Sequence, residues 1–298
     1  MKIGCVVVLY NANKERVFQI VQGIVGQVDG ICFVDNSRES MLNEIESIFS
    51  YESDNFCLNY LPLNDNKGIA YAQNRGVDFF ISHNFDYVLF CDQDSDLPKG
   101  TVNKLLNAHI ALQNEIINVG VVGTMPFNKV TKMAYPLKSK IINSNLNING
   151  IKLTETYSLI SSASLIKVSC FGDVGYFNEK LFIDGVDHEW CWRAWHLRGL
   201  RSFVVDDAII YHYFGEGDRN IGTKKVSIAS SKRLFYQYRN YLWLCRMPYT
   251  PRYWKKKNGI KYAVKLFYYP LFISPRMKNL NIILKGIIEG CKGYGTIQ

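Results

Sequence analysis

The chain has 298 residues, enough for one large core with a smaller appendage, and its 48% hydrophobic, 20% charged composition without low-complexity tracts excludes a disordered chain. Its eight cysteines are scattered with no C-x-x-C pair, which argues against a zinc site or disulfide framework and makes the cytoplasm the natural compartment. The net charge of +9 is unevenly placed: residues 226–298 carry 14 Lys/Arg against the single acid Glu289, whereas residues 1–225 carry 21 against 25 acids.

Ile3–Leu9 reads as a buried first strand. Its apolar run of about seven residues is short for a secretory signal, and no small-residue cleavage site follows. Ile31–Asp35, Cys57–Leu61, Tyr87–Cys91 and Val119–Gly123 are further strand candidates, with a helix predicted over about 69–82. Strands without polar alternation, separated by helices, predict an α/β fold built on a mostly parallel sheet covered on both faces. Ligands of such sheets bind beyond the carboxyl ends of the strands, where Asn11, Asp35, Asp92 and Asp94 converge. Residues 133–149 are polar and Asn-rich, a loop or edge hairpin, and Leu159–His212 is dense in acids and aromatics. No apolar run approaches the roughly 20 residues a bilayer span needs; the longest, Tyr262–Ser274, is broken by Lys265 and Pro270.

Three segments and one histidine carry candidate chemistry. Asp92-Gln93-Asp94 closes a hydrophobic strand, and two carboxylates two apart there suit a hard divalent cation bridging protein and a diphosphate. Asp94-Ser95-Asp96 offers an overlapping match, while an EF-hand reading fails at Leu97 and Asn103, where Gly and Glu are needed. In Asp187-His188-Glu189-Trp190-Cys191-Trp192-Arg193, Asp187 is either a general base or a helix N-cap, and Glu189 and Arg193, four apart, fit an intrahelical ion pair. Asn66-Lys67-Gly68, followed by Asn74-Arg75, is either a phosphate cradle at a helix N-terminus or an ordinary capped helix. His212, after an apolar strand, is either a structural histidine or a ligand.

Together these segments resemble the family 2 glycosyltransferases, and among them the bacterial rhamnosyltransferases. The resemblance is carried by Val8-Leu9-Tyr10-Asn11, Val34-Asp35-Asn36-Ser37, Asn66 to Ala70 with Asn74, Asp92 to Ser95, Gly175 to Glu179, Leu181 to Asp184, Val186 to Glu189, Arg193-Ala194 and Tyr211-His212. It implies a GT-A fold with a metal-dependent (Mg2+ or Mn2+), inverting transfer from a nucleotide-sugar donor, dTDP-rhamnose, to a saccharide or lipid-linked saccharide acceptor in surface polysaccharide assembly. A UDP-hexose donor is the sibling alternative. Leu9, Tyr10, Asn11, Asp35, Asn66, Lys67, Gly68, Asn74, Arg75 and Asp92 would bind the donor, with Asp35 reading the base. Asp92, Asp94 and His212 would hold the metal. Asp187 would be the base, supported on the acceptor side by Glu189, Trp190 and Arg193. One departure stands out: the chain reads Ser162-Ala163 where such proteins often have Ser-Gly.

A dinucleotide-binding dehydrogenase is argued against by the first turn, Tyr10 to Lys14, which has no glycine. The tail sets 14 basic residues among 14 aromatics, a composition compatible with nucleic acid, yet no nucleic-acid module is present and an acidic crevice repels a polyanion. The division expected is a catalytic domain over 1–225 and a helical extension over 226–298. That extension would dock on an anionic membrane surface, at the inner face of the cytoplasmic membrane, through Trp254-Lys255-Lys256-Lys257.

Overall fold

The computed structural model describes residues 1–49, 56–212, 218–221, 224–227 and 229–293, with the backbone alone for Phe49, His212, 218–221 and 224–227. The first part alternates strand and helix: β1 (Ile3–Leu9), α1 (Lys14–Ile24), β2 (Gly30–Asp35), α2 (Leu42–Phe49), β3 (Cys57–Pro62), α3 (Ile69–Ser82), β4 (Tyr87–Asp92) and α4 (Thr101–Asn114). β3, β2, β1 and β4 pair side by side in parallel. β1 and β2 are buried along their whole length, the burial that a strand covered on both faces requires and the reason they lack polar alternation.

The sheet continues through β5 (Val119–Asn128), β6 (Ile141–Ile148), β7 (Ile151–Thr156), β8 (Ser164–Lys167) and β9 (Arg201–His212) in the order β3-β2-β1-β4-β8-β5-β9-β7-β6. β8 inserts antiparallel between β4 and β5, β5 and β9 pair in parallel, and β7 and β6 close an antiparallel edge. The Asn-rich stretch thus supplies the edge strand β6, exposed over most of its length. β8 carries the chain back beside β4, which sets the segment just before it, Ser161 to Ala163, against the end of β4.

α5 (Ser169–Val174) and α6 (Val186–Arg198) pack on one face. α6 starts at Gly185, left-handed at φ 92°, and ends at Gly199, φ 65°, a start and stop that glycine permits without strain. Its Trp190 and Trp192 are buried in one apolar cluster with Phe171, Phe177 and, from further along the chain, Trp243 and Leu244. Beyond the short pair β10 (Asp218–Ile221) and β11 (Lys224–Ser227), the chain forms α7 (Ser231–Arg246), α8 (Arg252–Phe272) and α9 (Arg276–Cys291). α8 runs through Pro270, and no helix among the described residues is long and apolar enough to cross a membrane.

Beyond the expected boundary at residue 225, α7 serves both sides: its Trp243 and Leu244 join the α6 cluster, while its Leu234 and Tyr238 pack with Tyr269, Ile273 and Ile283 in a separate one. Asn240 of α7 is 2% exposed, and its Nδ2 donates to the carbonyls of Leu181, Ile183 and Asp184 at 2.9, 2.7 and 3.0 Å. Arg239 reaches the carbonyls of Lys180 and Leu181, and Arg233 grips Asp184 through both carboxylate oxygens. The segment so held contains Phe182 at φ 64° and Asp184 at φ 65°, left-handed conformations that such residues adopt only when their surroundings impose them.

Candidate active site

Side-chain amides knit the loops beyond β1, β2, β3 and β4. Gln93, between the two aspartates, accepts from the Tyr10 amide at 2.7 Å and donates to the Tyr10 carbonyl at 3.1 Å, which fastens the end of β4 to the end of β1. Asn11 stands at φ 47°, a conformation asparagine tolerates, and its amide donates to Ser37 Oγ at 2.8 Å. Asn36, 4% exposed, donates to Asn66 Oδ1 at 3.1 Å and accepts from the Lys67 amide at 2.7 Å. Gln93 and Asn36 are the crevice residues that sequence reasoning left without a role. Their partners are backbone and amide groups remote in the chain, and no spacing pattern announces them.

The network also sets how the residues expected at the donor are held. The side chain of Leu9 is 0% exposed and belongs to the core; only Tyr10 and Asn11 reach the rim. Asp35 is 1% exposed, its two oxygens accepting the Tyr60 hydroxyl at 2.6 Å and the Ser37 amide at 3.0 Å, so it braces the crevice floor. The turn into α3, whose N-cap Gly68 makes no side-chain cap bond, has three of its amides engaged. The amides of Lys67, Gly68 and Ile69 donate to Asn36, Asn66 and the Phe182 carbonyl, and Lys67 Nζ lies 3.7 Å from Asp65. Gly68 is needed there, since a Cβ would sit 2.7 Å from the Phe182 carbonyl oxygen. Asn74, 1% exposed, exchanges hydrogen bonds with the Phe177 backbone and donates to Glu179 at 2.8 Å, so it pins that segment and touches no crevice. Arg75 pairs with Asp78 at 3.0 Å and Glu179 at 3.9 Å, facing the same segment.

At the strand ends Asp94 and Asp187 come within electrostatic reach of Asp92. Asp92, the last residue of β4, is half-buried, and burial together with the charges of Asp94 and Asp187 pushes its pKa up to about 6 against a hydrogen bond from Ser162 and the pull of Lys138. Asp187 lies two residues inside α6, whose cap is Gly185, so the capping reading fails. Its Oδ2 accepts from the Ser161 amide at 3.2 Å and its Oδ1 from the His188 amide at 2.8 Å. Ser161 and Ser162 thus link Asp187 to Asp92, and Ser162 Oγ lies 3.0 Å from Ser95 Oγ. Ala163, next in line, is fully buried at φ 49° and donates to the Phe90 carbonyl at 2.7 Å. That left-handed backbone explains why glycine suits the position; alanine holds it at a cost of about 1–2 kcal/mol.

Around the carboxylates the supporting shell is apolar and paired. Glu189, 0% exposed, accepts from Arg193 at 2.8 and 3.1 Å and from the Tyr249 hydroxyl at 2.7 Å, an internal ion pair closed to any acceptor. Arg193 also donates to the carbonyls of Val174 and Tyr176, and Trp190, fully buried, donates to that of Gly175 at 2.8 Å. All three are supports.

Among the described residues no group of three or more His, Cys, Asp or Glu comes together as a metal cluster, and the side chain of His212 lies outside them. The chemistry of the Asp92–Asp94 pair nonetheless fits a hard divalent cation: oxygen donors whose mutual repulsion a cation would neutralise. The backbone of Tyr211 pairs with that of Asp96 through two 3.0 Å hydrogen bonds, which brings the end of β9, and so the backbone of His212, to the same loop. Asp96 itself is 2.6 Å from Lys129 Nζ, which removes the overlapping Asp94-Ser95-Asp96 match from consideration.

The description "Glycosyl transferase family 2" matches residues 5–173, and the chain belongs to that family: it is a glycosyltransferase of GT-A-like fold. Over 99% of its length it is 27% identical to the dTDP-rhamnosyl transferase RfbF of Shigella flexneri, of which it covers 96%. Its fold is similar to that of GalNAc-T7, solved with UDP, GalNAc and Mn2+ (TM-score 0.60, 12% identity, 98% of this chain and 56% of that one). It is also similar to S. aureus TarS 1–349 in complex with UDP-GlcNAc (TM-score 0.55, 16% identity, 97% of this chain and 81% of that one).

Crowding of the carboxylates makes a stability prediction. Because the folded state raises the Asp92 pKa, folding takes up a proton, and the metal-free protein loses stability as pH rises from about 4 through about 6. Asp94→Asn removes one source of repulsion. With chelator present its melting temperature should exceed wild type at pH 7.5, by about 2–4 °C per kcal/mol relieved, and by much less at pH 5. Differential scanning fluorimetry checks this; an equal gain at both pH values contradicts it.

Proposed function

We propose that the chain transfers L-rhamnose from dTDP-L-rhamnose to a saccharide hydroxyl, with inversion at the anomeric carbon. The observation that carries this reading is Asp187: a half-buried carboxylate inside the first turn of α6, oriented by the Ser161 and His188 amides and within electrostatic reach of Asp92 at the strand ends. The carboxylate takes the proton of the acceptor hydroxyl as that oxygen bonds to the anomeric carbon, and the bond from that carbon to the nucleoside diphosphate breaks on the opposite face. Asp92 and Asp94, with His212, would hold a divalent cation, which when bound supplies neutralising charge to the departing diphosphate. Tyr10 and Asn11, exposed at the rim, are the residues in position to touch the nucleoside. The near full-length similarity to a dTDP-rhamnosyl transferase supports the choice of donor.

The donor is tested by incubating purified protein with a nucleotide-sugar panel and Mn2+ and following nucleoside diphosphate release. dTDP-rhamnose should be consumed at least about tenfold faster than any UDP-hexose, a discrimination worth about 1.4 kcal/mol. Turnover of a UDP-hexose with none of dTDP-rhamnose overturns the donor assignment.

The tail is read as a membrane-surface contact, at the inner face of the cytoplasmic membrane, with only Lys256 and Lys257 of the expected cluster turned to solvent. Trp254 packs in T-shaped fashion on Trp192 at 5.1 Å, and Lys255 donates to the Met247 carbonyl at 3.1 Å, so both face inward. What α8 turns outward is an apolar row, Ile260, Val264, Phe267 and Leu271, each 59–70% exposed and spaced as one helical face. α9 adds Met277, Leu284 and Ile288. With Lys256 exposed beside the row and a tail charge of +13, an anionic bilayer is the complementary surface, since a second copy of the same cationic face would repel it. Each half-immersed apolar side chain contributes about 1 kcal/mol and each lysine near the lipid about as much. Phe267→Ser with Leu271→Ser should lower cosedimentation with phosphatidylglycerol vesicles at least about tenfold, and salt should weaken wild-type binding. Unchanged cosedimentation, or a loss of dimer mass instead, overturns the bilayer reading.

A further inference from the structure

Beside its apolar row α8 carries a second one. Lys257, Lys261 and Lys265 recur every four residues, roughly a quarter-turn round the helix from Ile260, Val264, Phe267 and Leu271. Lys265 Nζ donates to Gln237 Oε1 of α7 at 2.9 Å and lies 5.6 Å from the ring centre of Tyr269, and Lys261 Nζ lies 5.5 Å from that of Tyr262. Arg233 of α7 enters the same patch, with Asp184 in its grip and within reach of the Asp187 charge. Lys138, between β5 and β6, acts electrostatically on both Asp92 and Lys261, and its neighbours Ser139 and Lys140 meet the Tyr253 hydroxyl of α8. Five cations from three segments thus border the turn that precedes Asp187.

Asp184 is the carboxylate that opposes Lys261 and Lys265, and Arg233 already occupies both its oxygens. Among the described groups that act on Lys261 and Lys265, cations outnumber this one carboxylate. Burial and the charges of Lys138, Arg233 and Lys257 hold Lys261 below its usual range; burial and Lys261 bring Lys265 down to about 8. Like charges crowded in this way are what an anionic ligand relieves. A neutral saccharide hydroxyl has no use for them. The donor diphosphate lies by our reading across the strand ends, at Asp92 and Asp94.

We propose that Lys138, Lys257, Lys261 and Lys265 form a site for a phosphate or diphosphate group borne by the acceptor, set beside Asp187 so that the anchored saccharide presents its hydroxyl to the base. This rests on the reading of Asp187 as the acceptor's base. Compact ammonium groups, each with three donors, suit such a group, and the neighbouring apolar row suits an apolar carrier attached to it.

The test is calorimetric titration of the full-length protein, without divalent cation, with inorganic pyrophosphate and with farnesyl diphosphate, a diphosphate on an apolar chain. Wild type should bind both, and Lys257→Gln with Lys261→Gln should weaken both at least about tenfold. The same variant should bind dTDP with Mn2+ within about twofold of wild type, tenfold being 1.4 kcal/mol. Equal pyrophosphate affinity in variant and wild type overturns the site. A parallel loss of dTDP affinity overturns it too, by assigning the lysines to the donor, and so does displacement of pyrophosphate by phosphatidylglycerol vesicles as effective as farnesyl diphosphate, which makes the cluster a general headgroup contact. Asp187→Asn separates the two readings: it should bind pyrophosphate as wild type does, and whether it transfers sugar bears only on the base.

Discussion

Three carboxylates that repel one another, Asp92, Asp94 and Asp187, are kept within electrostatic reach, and much of the surrounding structure serves to keep them there. Asp92 and Asp94 come from the end of β4, Asp187 from a helix nearly a hundred residues on. Left to itself the charge would push these elements apart. Ser161 and Ser162 hold the two sides together, one through its backbone on Asp187 and the other through its hydroxyl on Asp92. Left-handed conformations gather in the same place: Asn11, Ala163, Phe182 and Asp184 are all non-glycine residues at φ between 47° and 65°. Such strain persists only where packing over-determines it. For Phe182 and Asp184 the packing is supplied by α7, whose Asn240 binds three carbonyls of the turn before Asp187.

That arrangement gives the basic tail two faces with different work. α7 turns inward and is structural for the catalytic core, sharing an apolar cluster with the tryptophans of α6. α8 turns outward, exposing one apolar row and one lysine row. A charge count over residues 226–298 blends these faces, which is why the Trp254-Lys255 cluster read as a surface anchor although Trp254 rests on Trp192.

What was legible in the sequence followed from local physics. Continuous apolar runs marked β1, β2 and β4, and the helix expected over 69–82 forms with those bounds. The aspartate pair was legible because a strand end in a parallel sheet points its polar residues into the crevice. What escaped notice depended on partners far away in the chain. The amides of Lys67, Gly68 and Ile69 looked available to a phosphate until Asn36, Asn66 and the Phe182 carbonyl took them. Asn74, Asp35 and Leu9 have the right residue types for a donor site, but burial of 0–1% exposure turns each into a brace or a core residue. Asp187 remained ambiguous because the choice between cap and base turns on where α6 begins, and that is set by the backbone of Gly185.

We place the action of Asp187 on the acceptor hydroxyl, not on the fold or the donor. The most direct measurement is the transfer rate of Asp187→Asn alongside its affinity for dTDP with Mn2+, made on the same preparation. Loss of a general base predicts a fall of about a hundred- to ten-thousandfold in rate with nucleotide affinity near wild type. A variant that transfers at the wild-type rate, or that loses nucleotide affinity and folding together, contradicts it.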